Sequence, residues 1–272
     1  MKLRHLLLSI ITGTVAPAAV SLDTKSLDKK YLDKKIPYQQ VENPFHTYVL
    51  VHGASGGGWD WKHMDQLLSA EGHTVYRATL TGLGERAHLA NAEIDLTTHI
   101  DDVANLILFE QLEQVVLVGH SYGGMVITGV MDRLPESIKE VFFLDAFVPA
   151  DGMAAVDLWE GFSGYKIVDG LVHFPWLDNS KSVPGDVAQS YKTLTEPVSF
   201  DNPLALELPV TYVPFVEGVV QGKVRALVDP SWKLLWGVDG LLRFLRVIIM
   251  RSVLIRGSWW GCCWILIRDY PS

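Results

Sequence analysis

The sequence predicts an α/β protein: a mostly parallel sheet with helices on both faces. Three observations carry this reading. Apolar runs alternate with helix-like patterns through the first half of the chain, and the runs are continuously apolar. Strands of that kind belong to sheets buried on both faces. A stretch rich in large rings, 149–208, then interrupts the alternation, as a cap over one edge of the sheet would. The chain has 272 residues, 49% hydrophobic and 20% charged, the balance of a globular domain with a sizeable core.

Residues 1–19 read as a secretory signal, which predicts a secreted protein. Met1, Lys2, Arg4 and His5 form a basic start, Leu6 to Val15 is apolar, and Ala16-Pro17-Ala18 offers a small-x-small cleavage site. The apolar part is too short for a stable membrane anchor. Residues 20–43 carry three tandem pentads, "SLDTK", "SLDKK" and "YLDKK". One leucine per repeat cannot build a core, so this segment is expected to be a charged linker or pro-segment.

A globular domain is expected over 44–222. "TYVLVHG" is a buried strand, and Trp61, Met64, Leu67 and Leu68 mark one face of a helix that Gly72 ends. "HTVYRATL" is a second strand. Thr98 with Asp101 makes a capping-box-like start to a helix carrying Val103, Ala104, Ile107 and Leu108. "QVVLVGH" and "EVFFLDAF" are further strands, separated by a helix that Ser121 opens, and "LPVTYVPFV" follows the insert.

The net charge of −8 gives no argument for nucleic acid or an anionic membrane as partner. No zinc spacing, Walker loop or dinucleotide fingerprint occurs, so neither metal nor nucleotide cofactor has support. Cys262 and Cys263 are adjacent, which suits no ordinary disulfide.

Gly119-His120-Ser121-Tyr122-Gly123 fits G-x-S-x-G, a pattern common by chance. Its context makes it specific, because a buried strand ends at the motif and a helix begins inside it. Ser121 is therefore the candidate nucleophile, standing at a helix N-terminus where the dipole favours developing negative charge. An acyl-transfer site also needs two backbone N–H donors for the oxyanion. In this architecture one is Tyr122, following the nucleophile; the other is Ala54, in the loop "HGASGGGWDW" after the first strand. The insert supplies Trp159, Phe162 and Trp176 as candidate substrate-binding rings, joined by Tyr165 and Phe174.

"VLVHGASGGGWDW", "LTGLGERAHL", "IDLTTHIDDV", "VVLVGHSYGGMVITGV" and "FFLDAFVPADG" together resemble the α/β-hydrolase superfamily. The branch resembled is that of small esterases related to plant methylesterases and hydroxynitrile lyases. The resemblance covers roughly Thr47 to Val216. It implies an α/β-hydrolase fold with a cap, a Ser-acid-His triad, no cofactor, and small apolar ester-like substrates. The lyases carry a threonine beside the oxyanion loop where this sequence has Gly53, which favours ester hydrolysis.

Two carboxylates could serve as the acid: Asp145, ending "VFFLDAF", and Glu217, after "TYVPFV". Asp145 has the better context, a lone carboxylate at the end of a strongly apolar strand, although a loop cap is its alternative role. The base is expected last in chain order. The nine histidines end at His173, so that base is missing. Its family position would fall in 223–272, a segment with eight Lys/Arg against three Asp/Glu and five of the nine tryptophans. Such a composition matches no ending expected for the fold and predicts a natural C-terminus replaced near Gly222 by a frameshift or gene-model error. Arg243, Arg246, Arg251 and Arg256 break up the tail's apolar run, so it is not read as a membrane span. Two functions follow: a carboxylesterase-type serine hydrolase impaired by the missing base, or a catalytically inactive protein that binds a small ligand.

Overall fold

The computed structural model describes residues 45–177 and 183–216, with the backbones of three short strands at 245–247, 249–252 and 262–265. The expected signal segment, the charged linker, Glu217 and most of 223–272 lie outside the described residues. Met1–His46 separates from Thr47–Ser272, and the architecture below is that of the second unit.

Strand β1 (Thr47–Val51) leads through a 3₁₀ turn at Gly58–Trp61 into helix α1 (Lys62–Ala70). Gly72 at φ 92° reverses the chain after α1, its N–H donating to Ser69 O while His73 N–H reaches Leu68 O. That pair of bonds satisfies carbonyls the helix end would otherwise leave open. Next come β2 (Thr74–Ala78), α2 (Leu96–Phe109), β3 (Val115–His120), α3 (Gly123–Arg133) and β4 (Ile138–Leu144).

Helix α2 begins two residues before Thr98, the expected cap. Asp95 is the N-cap instead, its Oδ1 accepting from Thr98 N–H at 2.8 Å and from Thr98 Oγ1 at 2.6 Å. A carboxylate satisfies two donors there and also meets the positive end of the helix dipole, which a threonine hydroxyl cannot do.

The insert forms short elements: α4 (Ala155–Leu158), a three-stranded sheet of β5 (Lys166–Val168), β6 (Leu171–His173) and β7 (Gln189–Ser190), then α5 (Lys192–Thr195) and α6 (Pro203–Leu206). Strand β8 (Val210–Val213) returns to the main sheet, followed by β9 (Phe215–Val216). Beyond the expected domain end lie β10 (Leu245–Val247), β11 (Ile249–Ser252) and β12 (Cys262–Ile265).

The main sheet has the order β10-β8-β4-β3-β1-β2, and each neighbouring pair is parallel. Val49, Val51, Leu117, Val118, Val141 and Phe143 are buried along its central strands. Helices α2 and α3 pack together on the sheet, with the Ile100 side chain seated where Gly129 has no Cβ.

From β1 the chain first steps outward to β2, then crosses back to β3 and proceeds the other way through β4 and β8. The winding direction therefore reverses between β1 and β3. The C-terminal ends of those two strands therefore lie at a topological switch point, where the ligand crevice of open α/β sheets is usually found. The oxyanion loop follows β1 and the Ser121 turn follows β3, so topology alone brings them to one place. Among the described residues no helix is long and apolar enough to cross a membrane.

Candidate active site

Ser121 has φ 51°, a left-handed conformation that a non-glycine residue adopts only when its surroundings enforce it. Three hydrogen bonds hold it. Its N–H donates to Leu144 O at 3.4 Å, and its carbonyl accepts from Gly124 N–H and Phe147 N–H, each at 3.0 Å. Space for so sharp a turn comes from missing side chains. A Cβ on Gly123 would stand 2.7 Å from His52 O, and one on Gly124 would overlap Phe147 O.

The same contacts place the oxyanion loop. A Cβ on Gly53 would lie 3.2 Å from Ser121 Cβ and 3.1 Å from His120 Nδ1, so the loop after β1 touches the nucleophile's turn directly. A side chain at this position would require His120 or Ser121 to give way slightly. Ala54 and Tyr122 flank that contact. Tyr122 is the N-cap of α3, where a backbone N–H has no acceptor within the helix. Neighbouring donors in the β1 loop are already engaged: Ser55 N–H with Gln189 Oε1 at 2.9 Å, and Gly58 N–H with Thr79 Oγ1 at 2.9 Å.

Asp145 directly follows β4 and lies next to the turn, since Leu144 pairs with His120 in register. Its φ is 47°, its N–H donates to Val213 O at 2.8 Å, and its Oδ1 accepts from Phe215 N–H at 3.1 Å. The carboxylate thus ties β4 to the β8–β9 bend, the loop-cap role open to it from sequence. Glu217, the other candidate acid, lies outside the described residues.

Three histidines near the site are neutral at ordinary pH. His52 is fully buried, with Nε2 accepting from Leu80 N–H at 3.2 Å and Nδ1 donating to Gly53 O at 2.8 Å. An N–H can only donate, which assigns that tautomer. Burial holds the ring well below its usual value, at about 4. His99 is likewise buried and depressed to about 4. Its Nε2 donates to Thr81 O at 3.0 Å, so Nδ1 accepts from the Tyr122 hydroxyl at 2.9 Å. Burial also pushes His120 to about 4; its ring stacks on Phe215 at 6.0 Å and meets Trp61 edge-on at 6.4 Å. His52 and His99 spend both ring nitrogens on backbone and tyrosine. His173 lies in the cap sheet opposite Lys166.

The rings of the insert form one continuous arc. Phe147, whose N–H anchors Ser121, contacts Trp159 and Phe162 at 6.2 Å each. Phe162 meets Tyr165 at 5.7 Å, Tyr165 meets Phe174 at 5.5 Å, and Phe174 stacks on Trp176 at 4.6 Å. Trp176 Nε1 then donates to Ser55 Oγ at 2.9 Å, which returns the arc to the oxyanion loop. Phe162 is buried, whereas Trp159 and Trp176 remain 49% and 48% exposed. All three expected substrate-binding rings therefore belong to one run of ring contacts, from Phe147, bonded to Ser121 O, to Trp176, bonded to Ser55. Sequence reasoning missed Ser55, Gln189 and Thr193; their mutual bonds join residues up to 134 positions apart, and no local pattern marks them.

Asp60 sits behind the glycine loop, its Oδ2 accepting from Gly57 N–H at 3.3 Å, and burial raises its carboxyl to about 6. Between about 6 and its ordinary 3.8 the folded state keeps a proton that the unfolded chain releases, so acidification through that window favours folding. Asp60→Asn is expected to remove this contribution, roughly 1–2 kcal/mol after allowance for partial solvent access. Urea unfolding at pH 7 and pH 4.5 checks it; an identical pH response in variant and parent would refute it.

Residues 48–256 match the model of a family described as the alpha/beta hydrolase family. A carbendazim hydrolyzing esterase from Nocardioides is 52% identical over 106 residues, covering 39% of this chain and 44% of that protein. The salicylic acid-binding protein 2 of Nicotiana tabacum is 42% identical over 106 residues, 38% of this chain and 40% of its own length. The matched stretch thus spans less than half of either relative. Among solved structures, an extracellular alpha/beta-hydrolase from a Paenibacillus species superposes with a TM-score of 0.58 at 23% identity, covering 75% of this chain and 89% of its own. A pyrethroid hydrolase from Sphingobium faniae gives a TM-score of 0.56 at 18% identity, over 75% and 88% of the two chains. Both likenesses are of fold.

Proposed function

Because the chain belongs to the alpha/beta hydrolase family, we propose that it is a serine hydrolase of carboxylesterase type acting on small ester substrates. The observation that carries the reading is Ser121 at φ 51° on the strand–helix turn, pressed against the loop that holds Ala54. Ser121 attacks the ester carbonyl, the N–H groups of Ala54 and Tyr122 receive the oxyanion, and the aromatic arc holds an apolar acyl or alcohol group. Asp145 or Glu217 is the acid. Esterase relatives support this chemistry, each over a partial match. The expected N-terminal signal, together with an extracellular neighbour of like fold, supports a secreted protein.

The missing base predicts slow turnover. Hydrolase sites stripped of a triad member keep roughly 10³–10⁴-fold over water from the oxyanion hole and binding. The test is hydrolysis of short p-nitrophenyl esters by the purified chain beside Ser121→Ala. Serine-dependent release above the variant is expected and requires another group of this chain to act as base, because the residual from the oxyanion hole and binding persists without the serine. Equal rates would overturn the proposal.

A second reading, a catalytically inactive binder of a small apolar ligand, is favoured by the missing base. It predicts equal rates in that assay together with a raised melting temperature in the presence of a small aromatic ester.

A further inference from the structure

Ser55 stands immediately after Ala54 at φ 64° and is fully buried. A serine in that conformation persists only where its neighbours fix it. Every polar group it has is taken by the insert. Its N–H donates to Gln189 Oε1 at 2.9 Å, its carbonyl accepts from Val187 N–H at 2.9 Å, and its Oγ accepts from Trp176 Nε1 at 2.9 Å. Gln189 is itself buried and passes the connection on, its Nε2 donating to Thr193 Oγ1 at 2.7 Å. Thr193 is buried and donates its own hydroxyl proton to Ser190 O at 2.7 Å, which fixes the partner of Gln189 in turn. One short segment, 187–193, therefore holds the residue after one oxyanion donor.

We infer that Gln189, with Trp176 and Thr193, positions the oxyanion hole, so that the insert sets the geometry of the oxyanion loop as well as enclosing the substrate. The direction of the Ala54 N–H is fixed by the peptide on its N-terminal side and by the turn that Ser55 completes. Releasing Ser55 from its left-handed conformation rotates that turn and carries the donor off its target. Gln189 touches no substrate; it is a positioning residue. The inference rests on the oxyanion assignment of the proposed function, so its test needs a readout that does not depend on turnover.

That test compares Gln189→Leu and Trp176→Phe with the full-length parent. Amide hydrogen exchange is followed at Ser55, and kcat and KM are measured for a short p-nitrophenyl ester. The leucine keeps the volume of glutamine but accepts nothing from Ser55; the phenylalanine keeps the stack on Phe174 but loses the Nε1 donor. Exchange at Ser55 is expected to accelerate in both variants. Serine-dependent kcat should fall roughly tenfold to a hundredfold in Gln189→Leu and several-fold in Trp176→Phe, with KM within about twofold in Gln189→Leu. Unchanged exchange at Ser55 in both variants overturns the clamp. Faster exchange with unchanged kcat overturns the positioning role. Where the parent shows no Ser121-dependent turnover, the esterase reading fails and exchange alone decides the clamp. Should Gln189→Leu not fold, Trp176→Phe, altering a half-exposed ring, gives the same two readouts.

Discussion

Gly124→Ala is expected to unfold this protein more readily than any other single methyl added to the turn. The new Cβ would overlap Phe147 O, a backbone atom that cannot rotate aside. Nor can the peptide retreat as a unit, because Phe147 N–H is bonded to Ser121 O at 3.0 Å and Asp145, two residues earlier, is held to Val213. Relief must come from moving α3 off the sheet or opening the turn, and either breaks the packing of Met125, Val126 and Ile127, all buried. Overpacking against fixed backbone costs about 3 kcal/mol or more, which lowers the melting temperature by roughly 6–12 °C for a domain of this size. Gly164→Ala is the control, since nothing lies within 4 Å of its added Cβ. A melting temperature for Gly124→Ala within a degree or two of the parent would show that the turn is looser than described.

Acid should destabilise the fold well above the pH where carboxylates titrate. His52 and His99 are each held at about 4 by burial, against an ordinary 6.5. Above 6.5 both states are neutral and pH has no leverage through these groups. Below it the unfolded chain takes up protons that the folded state refuses, so stability falls until about pH 4, where the folded rings also charge. Each ring contributes about 3 kcal/mol to the loss, a large share of the 5–15 kcal/mol that holds a typical domain together. His120 acts in the same direction, and the raised carboxyl of Asp60 opposes it with the smaller contribution given above. Urea midpoints measured from pH 7.5 to 4.5 should therefore drop steeply, and more steeply in Asp60→Asn. A flat profile between 7 and 5 would mean that the rings open to water and charge without unfolding.

Much of the hydrolase scaffold was legible because each piece is local in sequence. A buried strand running into Gly-His-Ser-Tyr-Gly needs no distant partner to be read, and the Gly56-Gly57-Gly58 run marks a close approach by itself. Continuous apolar strands disclosed a parallel sheet, and ring density disclosed a cap. The start of α2 was misplaced because Thr98 and Asp95 are both good caps and only the fold chooses between them. The polar links among Ser55, Gln189 and Thr193, and between Tyr122 and His99, were illegible for a different reason. Their members are ordinary residues whose roles arise when up to 134 positions of chain close on themselves. Both ring nitrogens of His99 are engaged, one with backbone and one with Tyr122. Asp145 remains beside the turn as the sequence placed it, bonded to Phe215 N–H as a loop cap would be.

The bond between Ser55 and Gln189 also orders events in time. The β1–β3 crevice is built from the chain's earlier half, whose neighbouring strands and helices can associate as soon as they are made. Ser55 cannot be drawn into its left-handed state until Val187 and Gln189 arrive, and closing so long a loop is entropically slow relative to local helix formation. Strands β1 to β4 can therefore pair before the turn at Ser55 is set, whereas β8 and β10 join the sheet only once residues 187–189 have already been made. The geometry of the oxyanion loop thus waits on the later half of the chain.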